Sequence, residues 1–416
     1  MTVEVFAHPV SFRRAADAEA ERLAAYGADR VCLAFSYHSG RWLLTTSEPA
    51  GVVDFPAGRW FATPAREETG PGEALSLPVL GDEATTASAA LVRSGVAVTA
   101  WLVGLHQSYL AMCHPELALR NAFGHRYRHA LCPAALRVRQ YAHALVSDAV
   151  RIPGVSGVEL EAFGYLGWQH ASAHDKYGTV LRPVDRWLLS LCFCPACSAR
   201  FIEAGIDVAE VRMRTRAAIL AQLAEPVGAD LDDLDGLADF EDLDAPPGIA
   251  DLASAALGHE LHDAVVAVRS DVTTDLVREA TAAAGGMPVS VRATSDPYAC
   301  NGKSAGDLGE LAAAAGGLTV TDLTGRTARL REDLAAAGRT GATVRAGWSL
   351  CAAHTADEDE LAGIGRLAHE HRAASLALYA YDLFPAPRLN WLRRLPGAPD
   401  APAALTAAPS DRETTP

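Results

Sequence analysis

The chain has 416 residues, half of them hydrophobic, enough to bury one large core or two ordinary ones, which excludes a disordered or fibrous protein. Its 36 Lys and Arg stand against 51 Asp and Glu, a formal charge of −15, and no basic patch offsets the acid, so no nucleic-acid partner is expected. No uncharged apolar run of about eighteen residues occurs, and the opening MTVEVFAHPV lacks the basic and apolar regions of an export signal. The expectation is a cytoplasmic protein without a membrane span, whose eight cysteines are reduced or metal-bound.

In chain order, eight β-rich runs stand out: 3–8 (VEVFAH), 30–38 (RVCLAFSYH), 96–106 (VAVTAWLVGLH), 157–165 (GVELEAFGY), 288–296 (PVSVRATSD), 318–325 (LTVTDLTG), 343–350 (TVRAGWSL) and 375–384 (SLALYAYDLF). Helical patterns alternate with them, such as FRRAADAEAERLAAYG after the first and ELAGIGRLAHEHRA before the last. Strand and helix alternating eight times predict an α/β fold, a (β/α)8 TIM barrel over 1–396. An open doubly wound sheet would need a Gly-rich phosphate turn after its first strand, and AHPVSF is not one. Two connections are long. Residues 39–90, after the second strand, are Gly/Pro-rich and read as a lid-like insertion. Residues 166–285, after the fourth, hold a cysteine cluster, an acidic run at 229–244 and a long helix near 249–282. The acidic run reads as a solvated loop, because it lacks the ligand spacing of an EF-hand. The Pro/Ala-rich tail, 397–416, is expected to be disordered.

Side chains alternate along a strand, so each run has a face turned to the barrel axis. Parity places Glu4, Phe6 and His8 there from the first run, and Ser36 and His38 from the second. Trp101 follows from the third, then Glu159, Glu161 and Phe163 from the fourth, with Val158 and Leu160 facing the helices. Arg292, Arg345, Tyr379 and Tyr381 come from the fifth, seventh and eighth. So polar an interior near the C-terminal strand ends is a site rather than plain packing. His8, His38 and His106 close β runs, and Tyr37, Trp101, Trp168, Trp348 and Tyr381 offer flat faces on which a pyranose ring could stack. His170, Arg292, Asp296 and Asp382 would supply polar groups to fix hydroxyls.

The triplet Cys192-x-Cys194-x-x-Cys197 offers three soft ligands to a tetrahedral zinc, which needs a fourth; the alternative is a set of buried thiols. Residues 114–141, HPELALRNAFGHRYRHALCPAALRVRQY, followed by that triplet, resemble the zinc-bearing β-galactosidases of glycoside hydrolase family 42. The resemblance implies that Cys132 joins Cys192, Cys194 and Cys197 around a structural Zn2+. More broadly the chain resembles a group of uncharacterised bacterial glycoside-hydrolase-like TIM barrels, in its first two strands and in a fourth strand ending in an acid followed by aromatics.

Glycoside hydrolysis needs two carboxyl groups across the scissile bond. The resemblance implies Glu161 as the acid/base, at the end of the fourth strand. The chain departs from family 42 there, with Leu160-Glu161 in place of Asn-Glu, and again at the seventh strand, where TVRAGWSLC holds no carboxylate. Asp322 is the first candidate for the second carboxyl, since a pair on strands four and six resembles the α-galactosidase type of barrel. It shares a face with Val320, so the strand would have to end or bulge before it. Asp296 and Asp382 are alternatives. Glu159 is a third, because E-L-E resembles the acidic ladder of chitinase-like barrels; its other reading is a buried ion pair with Arg292 or Arg345. His170, His174 and Asp175 could instead ligate a catalytic metal. The expected function is a glycoside-hydrolase-like enzyme acting on a small sugar, an oligosaccharide or a glycosylated metabolite. The rival readings are a non-catalytic carbohydrate-binding barrel and a metal-dependent isomerase or lyase.

Overall fold

A computed structural model describes residues 1–46, 50–63, 75–168, 179, 181–224 and 248–395. Eight parallel strands form the centre: β1 (Thr2–Ala7), β2 (Arg30–Tyr37), β3 (Ala97–Val103), β4 (Val155–Glu161), β5 (Val289–Thr294), β6 (Gly316–Asp322), β7 (Thr343–Ser349) and β8 (Ser375–Tyr379). Each pairs with the next, and β8 pairs with β1 through Thr2↔Ser375 to Val5↔Leu378, so the sheet closes on itself. This is the expected (β/α)8 TIM barrel. Helices cover it between successive strands, among them Ala16–Ala25, Glu83–Arg93, Leu136–Ala149, His259–Ala282, Leu308–Ala315, Thr327–Ala337 and Glu358–Glu370. Strands buried on both faces need apolar outward residues as well, and Val3, Val5, Val158, Leu160, Val291, Leu318 and Val320 supply them.

Local sequence sets the helix ends. Asp357 accepts the Glu360 amide at 2.9 Å, and Glu358, Asp359 and Glu360 place acid against the positive end of the helix dipole. The helix expected near 249–282 is two, Ile249–Leu257 and His259–Ala282, because Gly258 takes φ +83° between them. In the stretch after β2, Gly40–Leu44 and Gly51–Phe55 form an antiparallel hairpin, and Gly58–Arg59 pairs antiparallel with β2. The acidic run 229–244, the residues His170, His174 and Asp175, and the tail 397–416 lie outside the described residues. No described helix is long and apolar enough to cross a membrane.

The lower barrel interior is polar. Arg345 on β7 meets Glu4 on β1 at 3.0 Å and Glu159 on β4 at 3.3 Å, Thr319 on β6 donates to Glu159 at 2.9 Å, and the Cys32 thiol lies 3.5 Å from Glu4. Glu159 is thus tied into the floor by Arg345 and Thr319. Its partner is Arg345, since Arg292 stands one layer higher.

Candidate functional site

The chemistry-bearing groups collect at the C-terminal ends of the strands, the end that carries the active site in (β/α)8 enzymes. Glu161 is the last residue of β4. Its Oε2 accepts the indole N–H of Trp101 at 2.8 Å, and its Oε1 lies 3.1 Å from Nη1 of Arg292. Arg292 Nε in turn donates to Thr321 Oγ1 on β6 at 3.0 Å. Strands β3, β4, β5 and β6 therefore each contribute one member of a connected set. An indole N–H and a guanidinium donate and cannot accept, so both carboxyl oxygens are used as acceptors. The Glu161 side chain keeps 12 % of its surface exposed, which makes it reachable from the mouth.

The loop after β5 forms one wall. Gly302 accepts the Ala162 amide at 2.8 Å, and a Cβ at Gly302 would stand 3.9 Å from Glu161 Oε1. Gly302 also takes φ +87°, a conformation that glycine adopts without the cost a side chain would add.

The aromatic residues form a floor. Trp101 and Tyr37 are buried, with Phe6 5.0 Å and Tyr37 5.0 Å from the Trp101 ring and Tyr379 5.8 Å away, and the Tyr37 and Tyr379 hydroxyls are 3.0 Å apart. These rings cannot offer open stacking faces as they stand. A register shift between Ala34 and Ser36 in β2 explains why Tyr37 turns inward where parity had put Ser36.

The histidines divide into two groups. His8 is sealed among Tyr37, Trp42, Phe55 and Trp60, with ring centroids 4.4–5.3 Å away. Its Nδ1 accepts the Val10 amide at 3.2 Å, and burial holds the ring neutral by pushing its pKa well below the ordinary value. The His38 and His106 rings lie 4.1 Å apart at a tilt of 33°, and His129 lies 6.0 Å from His106. Burial pushes His38 down to about 4, against the pull of the Ser39 carbonyl at 2.7 Å.

Four expected site residues face elsewhere, and a fifth, Asp296, is buried just past its strand. Asp322 continues β6 without a bulge, pairing with Trp348, and therefore stays on the helix-facing side with Val320. Its Oδ1 accepts the Thr324 amide and hydroxyl, both at 2.8 Å, and the Arg326 amide at 3.1 Å, which makes it the cap of a turn. Trp348 is fully buried, and its indole N–H donates to Thr355 at 2.9 Å. Tyr381 leaves the alternation because the chain turns into a short 3-10 helix at Tyr381–Leu383, and its hydroxyl donates to Glu19 behind the barrel wall. Asp382 is wholly buried and accepts from the His8 amide at 2.8 Å and from the Ser11 hydroxyl. Asp296, just past β5, is buried, and its Oδ1 accepts the Tyr298 amide at 2.9 Å.

Burial raises the Asp382 carboxyl from 3.8 to about 7, with the Ser11 and His8 hydrogen bonds opposing. The folded chain therefore keeps a proton that the unfolded chain releases between about pH 4 and 7, and folding stability falls as pH climbs through that window. Asp382→Asn has no proton to lose. Its stability relative to wild type is expected to rise from pH 4 to pH 8, by at most roughly 4 kcal/mol, as read from urea unfolding at both ends of the range. A difference that stays flat with pH would contradict the assignment.

Thr321 and the wall at Gly302 were not singled out from sequence. Thr321 was within reach, since it alternates with Thr319 on the inward face of β6. Gly302 sits in a loop with no periodicity to reveal it.

A second centre lies beside the barrel. Cys132 follows the strand Arg126–Leu131, and Cys192, Cys194 and Cys197 lead into the helix Pro195–Glu203. All four are buried, and their sulfurs lie within 4.8 Å of one another. Cys132 Sγ is 3.3 Å from Cys197 and 3.4 Å from Cys194. Four thiolates around a tetrahedral ion with bonds of about 2.3 Å stand about 3.8 Å apart, so a modest spreading would admit one. The Arg120 amide donates to Cys192 and the Cys197 amide to Cys194, both at 3.4 Å, as amides do toward thiolate. Hydrogen bonds from the other three thiols hold Cys194 well below the usual thiol range. The cluster could hold a metal.

No family model matches the chain, and no curated protein matches it. Among solved structures it is similar to the PgaB glycoside hydrolase domain from Bordetella bronchiseptica, with a TM-score of 0.53 and 13 % identity over 92 % of this chain and 95 % of that one. It is similar to α-L-fucosidase isoenzyme 2 from Paenibacillus thiaminolyticus, with a TM-score of 0.52 and 11 % identity over 94 % of this chain and 48 % of that one. It is also similar to β-galactosidase from Bacillus circulans sp. alkalophilus, with a TM-score of 0.50 and 12 % identity over 91 % of this chain and 50 % of that one. The chain thus spans about half the length of the last two. At these identities the likeness is one of fold: the chain is a TIM barrel similar in fold to those glycoside hydrolases.

Proposed function

We propose that this barrel is a carbohydrate-active enzyme that cleaves or remodels a glycosidic bond at its C-terminal mouth, with Glu161 as the carboxylate that acts on the sugar. The observation that carries this reading is the fixing of Glu161 by Trp101 at 2.8 Å and Arg292 at 3.1 Å. Both oxygens accept from pure donors, which suits a base, a nucleophile or a stabiliser of the oxocarbenium-like transition state better than a proton donor. The acid/base role expected from sequence narrows accordingly to its base or nucleophile half. Asp296 is the remaining candidate for the proton donor among the residues named from sequence, one strand away on the β5 side.

A second reading has its own support. Glu4 and Glu159, the other inward carboxyls, are committed to Arg345 below the mouth, while Asp322 and Asp382 face away. If Glu161 is the site's single carboxylate among the described residues, the two-carboxyl route to hydrolysis lacks a member and the mouth suits sugar binding alone. Turnover of a panel of chromogenic glycosides by wild type and by Glu161→Gln separates the two. Undiminished turnover in the Gln variant removes Glu161 from the chemistry, and calorimetric binding without turnover in wild type selects the binding barrel.

For the second centre we propose Zn2+ held by Cys132, Cys192, Cys194 and Cys197. A closed four-thiolate set leaves no open position, so the ion would brace the loops and take no part in the reaction.

A further inference from the structure

The floor beneath Glu161 contains an imbalance of charge. Glu4 and Glu159 both reach the same Arg345 nitrogen, Nη1, at 3.0 and 3.3 Å. Two carboxylates against one guanidinium would leave a net negative charge among buried side chains, which is costly unless a proton neutralises it.

The hydrogen bonds indicate which carboxyl takes the proton. Glu4 Oε2 accepts from Arg345 and from the Cys32 thiol, so it is already serving as an acceptor. Glu159 uses only Oε2, toward Arg345 and Thr319, while its Oε1 is buried with no hydrogen-bond partner. An ionised oxygen in that position would be stripped of every donor. Glu159 itself has no exposed surface.

We propose that Glu159 keeps its proton up to about neutral pH, as a carboxylic acid inside the folded chain, and is the positioning residue for Glu161, two residues above it on the same inward face of β4. Neutral, it leaves Glu161 as the single negative charge facing the sugar. Ionised, it would set a like charge under Glu161 and compete for the surrounding cations.

Groups pack against Glu159 from several strands of the barrel. Glu4 and Cys32 approach from β1 and β2, Trp101 pairs in register from β3, Glu161 lies above, Thr319 approaches from β6 and Arg345 from β7. Arg292 on β5 is engaged one layer up by Glu161 and Thr321. Burial drives Glu159 up to about 7, Glu4 and Glu161 add to the rise, and Arg345 and Thr319 oppose it. Its role toward Glu161 rests on the function proposed above; its proton does not.

The test is the infrared carbonyl band of protonated carboxyl groups, recorded on the full chain without ligand at pH 6 and pH 8. Asp382→Asn serves as the background, so that the acid whose carboxyl burial also raises to about 7 does not contribute. A band present at pH 6, weakened at pH 8 and absent in the additional Glu159→Gln variant is the expected result. Gln mimics the protonated acid, so this variant should melt no lower than its parent at pH 6 and higher at pH 8. Glu4→Gln, which frees Arg345 for Glu159 alone, should also abolish the band but lower the melting temperature. No band in the parent, or a band that survives both substitutions, overturns the proposal. A melting order reversed between the two variants would move the proton to Glu4 and overturn it equally. None of these readouts depends on turnover, so an inactive protein sinks the proposed hydrolysis and leaves this test standing.

Discussion

Cys194→Ser is expected to abolish binding of the proposed Zn2+ and cost more than about 4 kcal/mol of stability, among the largest effects a single substitution can have. Four buried thiolates within 4.8 Å would repel one another unless a cation drew their charge inward. A bound ion would link Cys132, which lies in the connection after β3, to the stretch carrying Cys192, Cys194 and Cys197 after β4, two segments more than fifty residues apart. Losing the ion frees both segments at once. Phe193 and Phe201, packed beside the cluster at 6.4 Å between ring centroids, then lose their support. Elemental analysis should find about one zinc per chain in wild type and a small fraction of that in the Ser variant, with a lower melting temperature. A strong chelator applied to wild type should reproduce the shift. Full zinc in the variant, or wild type without metal, would defeat the assignment.

The barrel was legible because its signal is periodic and repeated: eight apolar runs separated by amphipathic stretches leave few other folds. Parity carried the floor as well, since Glu4, Glu159 and Arg345 all point where alternation puts them. It failed wherever the backbone stopped being a regular strand. The register shift at Ala34–Ser36 exchanged Ser36 for Tyr37, and the 3-10 turn at Tyr381–Leu383 sent Tyr381 and Asp382 outward. For Asp322 alternation was right, and the bulge invoked to bring it to the mouth is absent. Sequence also identified aromatic residues without their depth. Trp101 is a donor to Glu161 from within the floor, a role that composition and spacing do not encode.

Glu161→Gln should lower kcat on a responsive glycoside by about 10³-fold or more while leaving binding within a fewfold of wild type. Gln keeps the size of the side chain and one acceptor oxygen but removes the charge that a cationic transition state requires. Its amide N–H₂ must also face a donor, Trp101 or Arg292, so part of the loss will come from a displaced side chain. Trp101→Phe serves as the control for that displacement, because it removes one donor and preserves the acid. Arg292→Met then distinguishes the roles open to Glu161. Without the guanidinium, the carboxyl holds a proton more readily, since an adjacent positive charge had favoured its ionised form. If Glu161 acts as base or nucleophile, the Met variant should lose activity at low pH and recover it as pH rises, moving the acidic limb of the pH–rate profile upward. If it acts as proton donor, the basic limb should move upward, extending activity into more alkaline conditions. The arrangement of two pure donors around one carboxylate favours the first outcome. A profile that shifts only on its basic side would assign Glu161 the acid role and require the nucleophile or base to be found elsewhere on the mouth.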